Sequence, residues 1–110
     1  MTDLDRAAIY RLHAGFCKNL GDANRLLIID ALGQGELPVG EIAQRLALSQ
    51  SNVSKHLALM RERGLVVTRR EGANIYYRLS DSRISEAIKL LKDIQIEQIE
   101  KQRTLALKSV

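Results

Sequence analysis

Ser49, Gln50, Ser51, Asn52, Ser54 and Lys55 fall within the short stretch SQSNVSKH, where Val53 is the only apolar residue. Hydroxyls, amides and an ammonium suit recognition, because each donates or accepts hydrogen bonds to a base edge or a phosphate. They are mediocre helix formers, since their side chains compete for the backbone. Yet the stretch opens a helix. At about 100° per residue, Val53, Leu57 and Met60 share one face, which must be the core side. Ser51, Lys55 and Ala58 lie opposite, flanked by Asn52 and Ser54. Short side chains there let a helix backbone approach a groove closely. A capped, solvated helix face is the competing account, and it explains Ser49 as an N-cap but not the whole cluster. His56 lies beside the core face, where packing with a polar edge and a phosphate contact fit equally well.

Arg69 and Arg70 come next, near Gly72. Charged residues on a hairpin edge discourage strand pairing. Two arginines at a tip suit a phosphate or minor-groove contact better. Arg61 and Arg63 fit ordinary surface charge at a helix end. Arg25 admits either an ion pair or a backbone contact. His13 and Cys17, four residues apart on one helix, are the weak candidates for a metal shared across a dimer, but two ligands are too few alone. No paired catalytic acids, nucleophile motif or phosphate loop is present, so an enzyme is not expected, and no cofactor is implied.

The elements that must position these residues follow from periodicity. Thr2 caps a first helix, with Asp3 and Asp5 favouring its positive end and Ile9, Leu12, Phe16 and Leu20 at helical spacing. Asp22 caps a second helix carrying Leu26, Ile29 and Leu32, closed by Gly33 and Gly35. Pro38 fits the first turn of a third, whose stripe is Val39, Ile42, Ala43 and Leu46. Ser49 starts the fourth, which Gly64 stops. The pair over 38–63 reads as a helix-turn-helix. Over 65–80 the period falls to two, so LVVTRR and NIYYRLS flank the turn EGA, with Val66 opposite Leu79 and Thr68 opposite Tyr77. A last helix over 82–105, capped by Asp81 or Ser82, carries Ile84, Ala87, Ile88, Leu91 and Ile94. Gln95 and Gln98 dilute its stripe, so its end is expected to fray. The fold expected over 1–110 is one mainly α domain with one β-hairpin, in the order α-α-α-α-β-β-α.

Composition agrees. The chain has 110 residues, enough for one domain, and 45% are hydrophobic, enough for a core. Net charge is +4 with a pI near 9.5, which suits a polyanionic partner. A single cysteine excludes an internal disulfide. Neither a membrane span nor a signal peptide is read, so the cytoplasm is the expected compartment.

CKNLGDANRLLII, ELPVGEIAQRLALSQSNVSKHLALMRERGLV and RREGANIYYRLSD together resemble the ArsR/SmtB family of bacterial winged-helix repressors. The likeness runs from Cys17 to Asp81 and is looser in the outer helices. It implies a homodimer joined through the helices over 1–20 and 82–105, with Ile9, Leu12, Phe16, Ile84, Ile88, Leu91 and Ile94 at the interface. It also implies that the fourth helix enters the major groove of double-stranded DNA and that the wing touches the flanking backbone. The operator would be an inverted repeat. Cys17 stands where the family commonly has an aromatic core residue, so a buried, inert thiol is expected.

Three departures bear on the signal. Arsenic and lead sensors of the family carry Cys-Val-Cys where this chain has Pro38-Val39-Gly40. Zinc, nickel and cobalt sensors use carboxylates and histidines on the last helix, which here has no histidine. Persulfide sensors need two cysteines. What remains is an organic ligand at the dimer interface, a thiol change at Cys17, or no effector at all. The function expected is a dimeric, sequence-specific DNA-binding repressor. The alternative is a winged-helix assembly module, against which stands the lack of aromatic or aliphatic anchors on the polar face.

Overall fold

The computed structural model describes residues 2–108; Met1, Ser109 and Val110, the ends of the domain expected over 1–110, lie outside them. Helix α1 (Asp3–Lys18) begins in a capping box: Thr2 Oγ1 accepts from the Asp5 amide and Asp5 accepts from the Thr2 amide. Helix α2 (Ala23–Leu32) is capped by Asp22, which accepts from the amides of Asn24 and Arg25. Strand β1 (Leu37–Pro38) leads into α3 (Val39–Leu46), and α4 (Gln50–Glu62) follows with Ser49 as its N-cap. Strands β2 (Val66–Glu71) and β3 (Asn74–Leu79) form the hairpin, and α5 (Arg83–Lys108) closes the chain.

The fold is a winged helix-turn-helix with one element more than expected. The order is α-α-β-α-α-β-β-α, and the sheet has three antiparallel strands, β1-β3-β2, rather than a lone hairpin. Leu37 pairs with Tyr77 and Pro38 with Tyr76. Two residues carry no period, and proline is admissible on an edge strand, so nothing local announces β1. Pro38 accordingly stands one residue before α3, as an extended N-cap without a side-chain cap bond, not in the first turn. The β2–β3 register is as expected, with Val66 opposite Leu79 and Thr68 opposite Tyr77. Gly72, at φ +61°, supplies the positive φ that a two-residue primed turn needs at its first central position.

The core is built from aliphatic residues and methionine. Ile28, Ile29, Ile42, Val53, Leu57, Met60 and Leu65 are fully inaccessible, and no polar residue is buried among the described residues. The turn between α3 and α4 is closed by Ala47 in the left-handed region (φ 55°), where the Leu48 amide reaches back to the Ala43 carbonyl at 3.0 Å. That turn sets the angle at which α4 leaves α3. At the other end, Gly33 lets α2 approach α5 closely: a Cβ there would stand 3.0 Å from the Ser85 Cβ.

Helix α5 runs through its polar dilution to Lys108, three residues past the expected end at 105. Its later residues are mostly good helix formers, and neither Gly nor Pro interrupts them. At about 1.5 Å per residue, 26 residues reach about 39 Å. The radius of gyration is 17.5 Å, against about 13 Å for a compact chain of this length. The outer helices therefore project from the body.

Candidate nucleic-acid interface

Helix α4 divides cleanly. Val53, Leu57 and Met60 are fully buried, while Gln50, Ser51, Asn52, Ser54, Lys55 and Ala58 are exposed. The buried residues repeat at four and three positions, so one side is fixed to the core and the small polar face turns outward. Ser49 is committed locally: its Oγ accepts from the Asn52 amide at 3.1 Å and lies 3.3 Å from Ser51 Oγ. Gln50 reaches back over the start of α3, with Oε1 3.8 Å from where a Gly40 Cβ would stand. The backbone and side chains from Ser51 to Lys55 thus form a low, polar ridge at the positive N-terminal end of the helix.

His56 goes to the packing side of its two expected roles. Its side chain is only 18% exposed, with Nε2 4.0 Å from Asp22 Oδ1. The Asp22 carboxyl is held below its ordinary range, first by the Arg25 amide and further by the Asn24 amide and nearby positive charge. Arg25 is engaged within the chain instead, Nε donating to the Asn19 carbonyl at 2.6 Å. These bonds tie the start of α2 to the end of α1 and to the flank of α4.

The two wing arginines part company. Arg69 and Arg70 are successive on β2, so they leave opposite faces. Arg70 is exposed opposite Ile75 near the tip. Arg69 is drawn to Glu36 and Glu71, at 2.6 and 2.7 Å, and lies over the Tyr76 ring. Those contacts make the guanidinium a weaker acid than usual, and its donors hold the Glu36 carboxyl below its ordinary range. Glu36, Glu71 and Tyr76 were absent from the expected site. The register pairs Arg69 with Tyr76, so that contact was findable; Glu36 lies 33 residues away and carried no signal.

At the base of the wing, Asp81 starts α5. It accepts from the Arg83 amide at 2.9 Å and from Arg83 Nη2 at 2.7 Å, and its carboxyl is pulled down to about 2, chiefly by that side chain. Ser80 Oγ donates to the Gly64 carbonyl at 2.6 Å, joining the hairpin's end to the end of α4.

The expected dimer residues split by depth. Phe16, Ile84 and Ile88 pack partly against the chain's own core. Ile9, Leu12, Leu91 and Ile94 are exposed, Leu12 at 77% and Leu91 at 65%. Cys17 is exposed, not buried as expected. Phe16 occupies the side of α1 that meets the core, and Cys17 lies about 100° round from it. Its Sγ is 3.5 Å from His13 Nε2. Among the described residues no group of three or more His, Cys, Asp or Glu is placed to hold a metal ion. No helix of the described residues is long and apolar enough to cross a membrane.

Comparison with known proteins matches residues 22–68 to the family described as bacterial regulatory protein, arsR family. The transcriptional activator HlyU of Vibrio cholerae is 45% identical over 74 residues, 67% of this chain and 68% of that protein. A biofilm growth-associated repressor of Xylella fastidiosa is 36% identical over 81 residues, 74% of this chain and 71% of that protein. Among solved structures, the homodimeric winged helix-turn-helix DNA-binding domain of Mb0332 from Mycobacterium bovis superposes with a TM-score of 0.79. It is 32% identical and covers 92% of this chain and 93% of that one. With these relatives sharing both its sequence and its winged helix-turn-helix, the chain belongs to the arsR family of bacterial regulatory proteins.

Proposed function

We propose that the protein is a homodimeric, sequence-specific DNA-binding regulator of transcription, acting in the cytoplasm as a repressor that occupies an inverted-repeat operator. The observation that carries this is the division of α4: three core residues fully buried, and a low polar ridge from Ser51 to Lys55 turned outward. That ridge fits a major groove, where short donors and acceptors read base edges. The dimer supplies the second ridge. In it, Ile9 and Leu12 of α1 and Leu91 and Ile94 of α5 bury an apolar face that one chain leaves open. Two copies related by a two-fold axis then present their ridges to successive major grooves, about 34–36 Å apart.

Enrichment from a random-sequence duplex pool tests this. The recovered sequences should share an inverted repeat with half-sites one helical turn apart. Recovery without a shared sequence would reduce the protein to a non-specific binder, and no recovery at all would favour an assembly module.

The chain's departures from the family's metal sites bear on the signal. Pro38 and Gly40 stand in place of the family's thiolate pair, and α5 has no histidine. Release from DNA requires a ligand that prefers one of two conformations. Zinc, nickel, arsenite and lead are therefore expected to leave the complex intact. A metal that lowers operator affinity tenfold or more, about 1.4 kcal/mol of coupling, would contradict this. Cys17 is open to solvent, so oxidants remain a candidate signal. Release of the wild type but not of Cys17→Ser by an oxidant would assign the response to that thiol.

A further inference from the structure

The outer face of the sheet carries an arrangement that reading DNA does not itself require. The strand order is β1-β3-β2, and alternation along β2 puts Val67, Arg69 and Glu71 on the face opposite the buried Val66. From that face the Arg69 guanidinium crosses the central strand, 4.7 Å above the Tyr76 ring centre. It ends on Glu36, the residue before β1, with Nη2 donating to Oε1 at 2.6 Å and Nε donating to Oε2 at 3.2 Å. Nη1 donates to Glu71 Oε2 at 2.7 Å. All three nitrogens are engaged. Arg78, on the same face, also acts on Glu36, so the guanidinium of Arg69 is neutralised within the cluster rather than left free for a phosphate. Arg70 leaves the other face, and among the described residues no carboxylate holds it.

We propose that Arg69 is a positioning residue that straps the wing to the entry of the helix-turn-helix, leaving Arg70 as the wing's contact to the DNA backbone. The inference rests on the DNA-binding reading above. Its geometry is that of a cross-strand tie. Glu36 precedes β1, and β1 runs directly into α3, so a bond from Arg69 to Glu36 couples the hairpin's tilt to the α3–α4 unit. A two-stranded tip is weakly held on its own, and an arginine fork against a carboxylate restricts direction as well as distance. With the wing held, Arg70 meets a phosphate without the cost of ordering the hairpin at binding.

The two roles of Arg69 predict opposite signs for Glu36→Ala. Removing an acid beside DNA ordinarily strengthens binding, and it would also free Arg69 for a phosphate. The strap instead requires that Glu36→Ala weaken binding, by about three- to tenfold. The probe is a labelled duplex enriched by the wild type, with an unselected duplex of equal length beside it, measured by fluorescence anisotropy across a salt series. Arg69→Gln should match Glu36→Ala, and the double variant should be no worse than either single one. Arg69→Lys should fail to restore affinity, because an ammonium cannot span both carboxylates, whereas it would serve a phosphate. Arg70→Gln should flatten the log–log salt slope by about one. Unchanged thermal midpoints exclude unfolding as the cause, and Glu36→Gln repeats the test with a smaller change. Tighter or unchanged binding by Glu36→Ala, or full rescue by Arg69→Lys, overturns the strap while leaving DNA binding intact. A wild type that enriches no duplex overturns both.

Discussion

Leu91→Glu is expected to turn the dimer into a monomer and to weaken operator binding by about 10²–10⁴-fold, the gain that linking two binding modules ordinarily gives. Leu91 is 65% exposed, on the wall of an apolar groove that α5 shares with Leu20, Leu26 and Leu27. In one chain, a glutamate there can still hold its carboxylate in water at the rim of that groove. In a two-fold interface the same change appears twice, and two carboxylates must lose water without a partner. Sedimentation should show a monomer with unchanged helix content by circular dichroism, and anisotropy should show the loss on the enriched duplex. A variant that stays dimeric would remove α5 from the interface. One that becomes monomeric yet binds as before would remove the second half-site.

The second large effect belongs to the polar ridge. Ser51→Ala and Lys55→Ala should each weaken binding to the enriched duplex by about 1–3 kcal/mol where a base contact is lost. Both residues are exposed on the face opposite Val53, Leu57 and Met60, so stability should not change. The two should differ in kind. Ser51 is uncharged, and its loss should narrow the gap between enriched and unselected DNA. A Lys55 that also meets a phosphate should weaken both and flatten the salt slope by about one unit. If neither substitution alters the preference, the face assigned to the groove is the wrong one.

The sequence by itself determined whatever depends on neighbours a few residues apart. Helix α4 was legible because Ser49 caps it, Gly64 stops it and Val53, Leu57 and Met60 repeat at helical spacing. The β2–β3 register was legible because a short turn at Gly72 and alternating side chains leave one pairing that buries Val66 and Leu79 together. The family resemblance rested on the same local order. The end of α5 was within reach too: polar dilution thins an apolar stripe but does not break a helix made of good helix formers. Tertiary structure alone decided the rest. Strand β1 exists because Leu37 and Pro38 lie along β3, and two residues have no periodicity to reveal it. Helical spacing had already put Phe16 on the apolar stripe of α1; the expected burial of Cys17 came from the family resemblance, and packing turned Phe16 inward and left Cys17 outside. Arg69 and Arg70 look equivalent as a pair of letters. One is held by a carboxylate 33 residues away and the other is not, because only the folded sheet brings Glu36 to the far side of Tyr76.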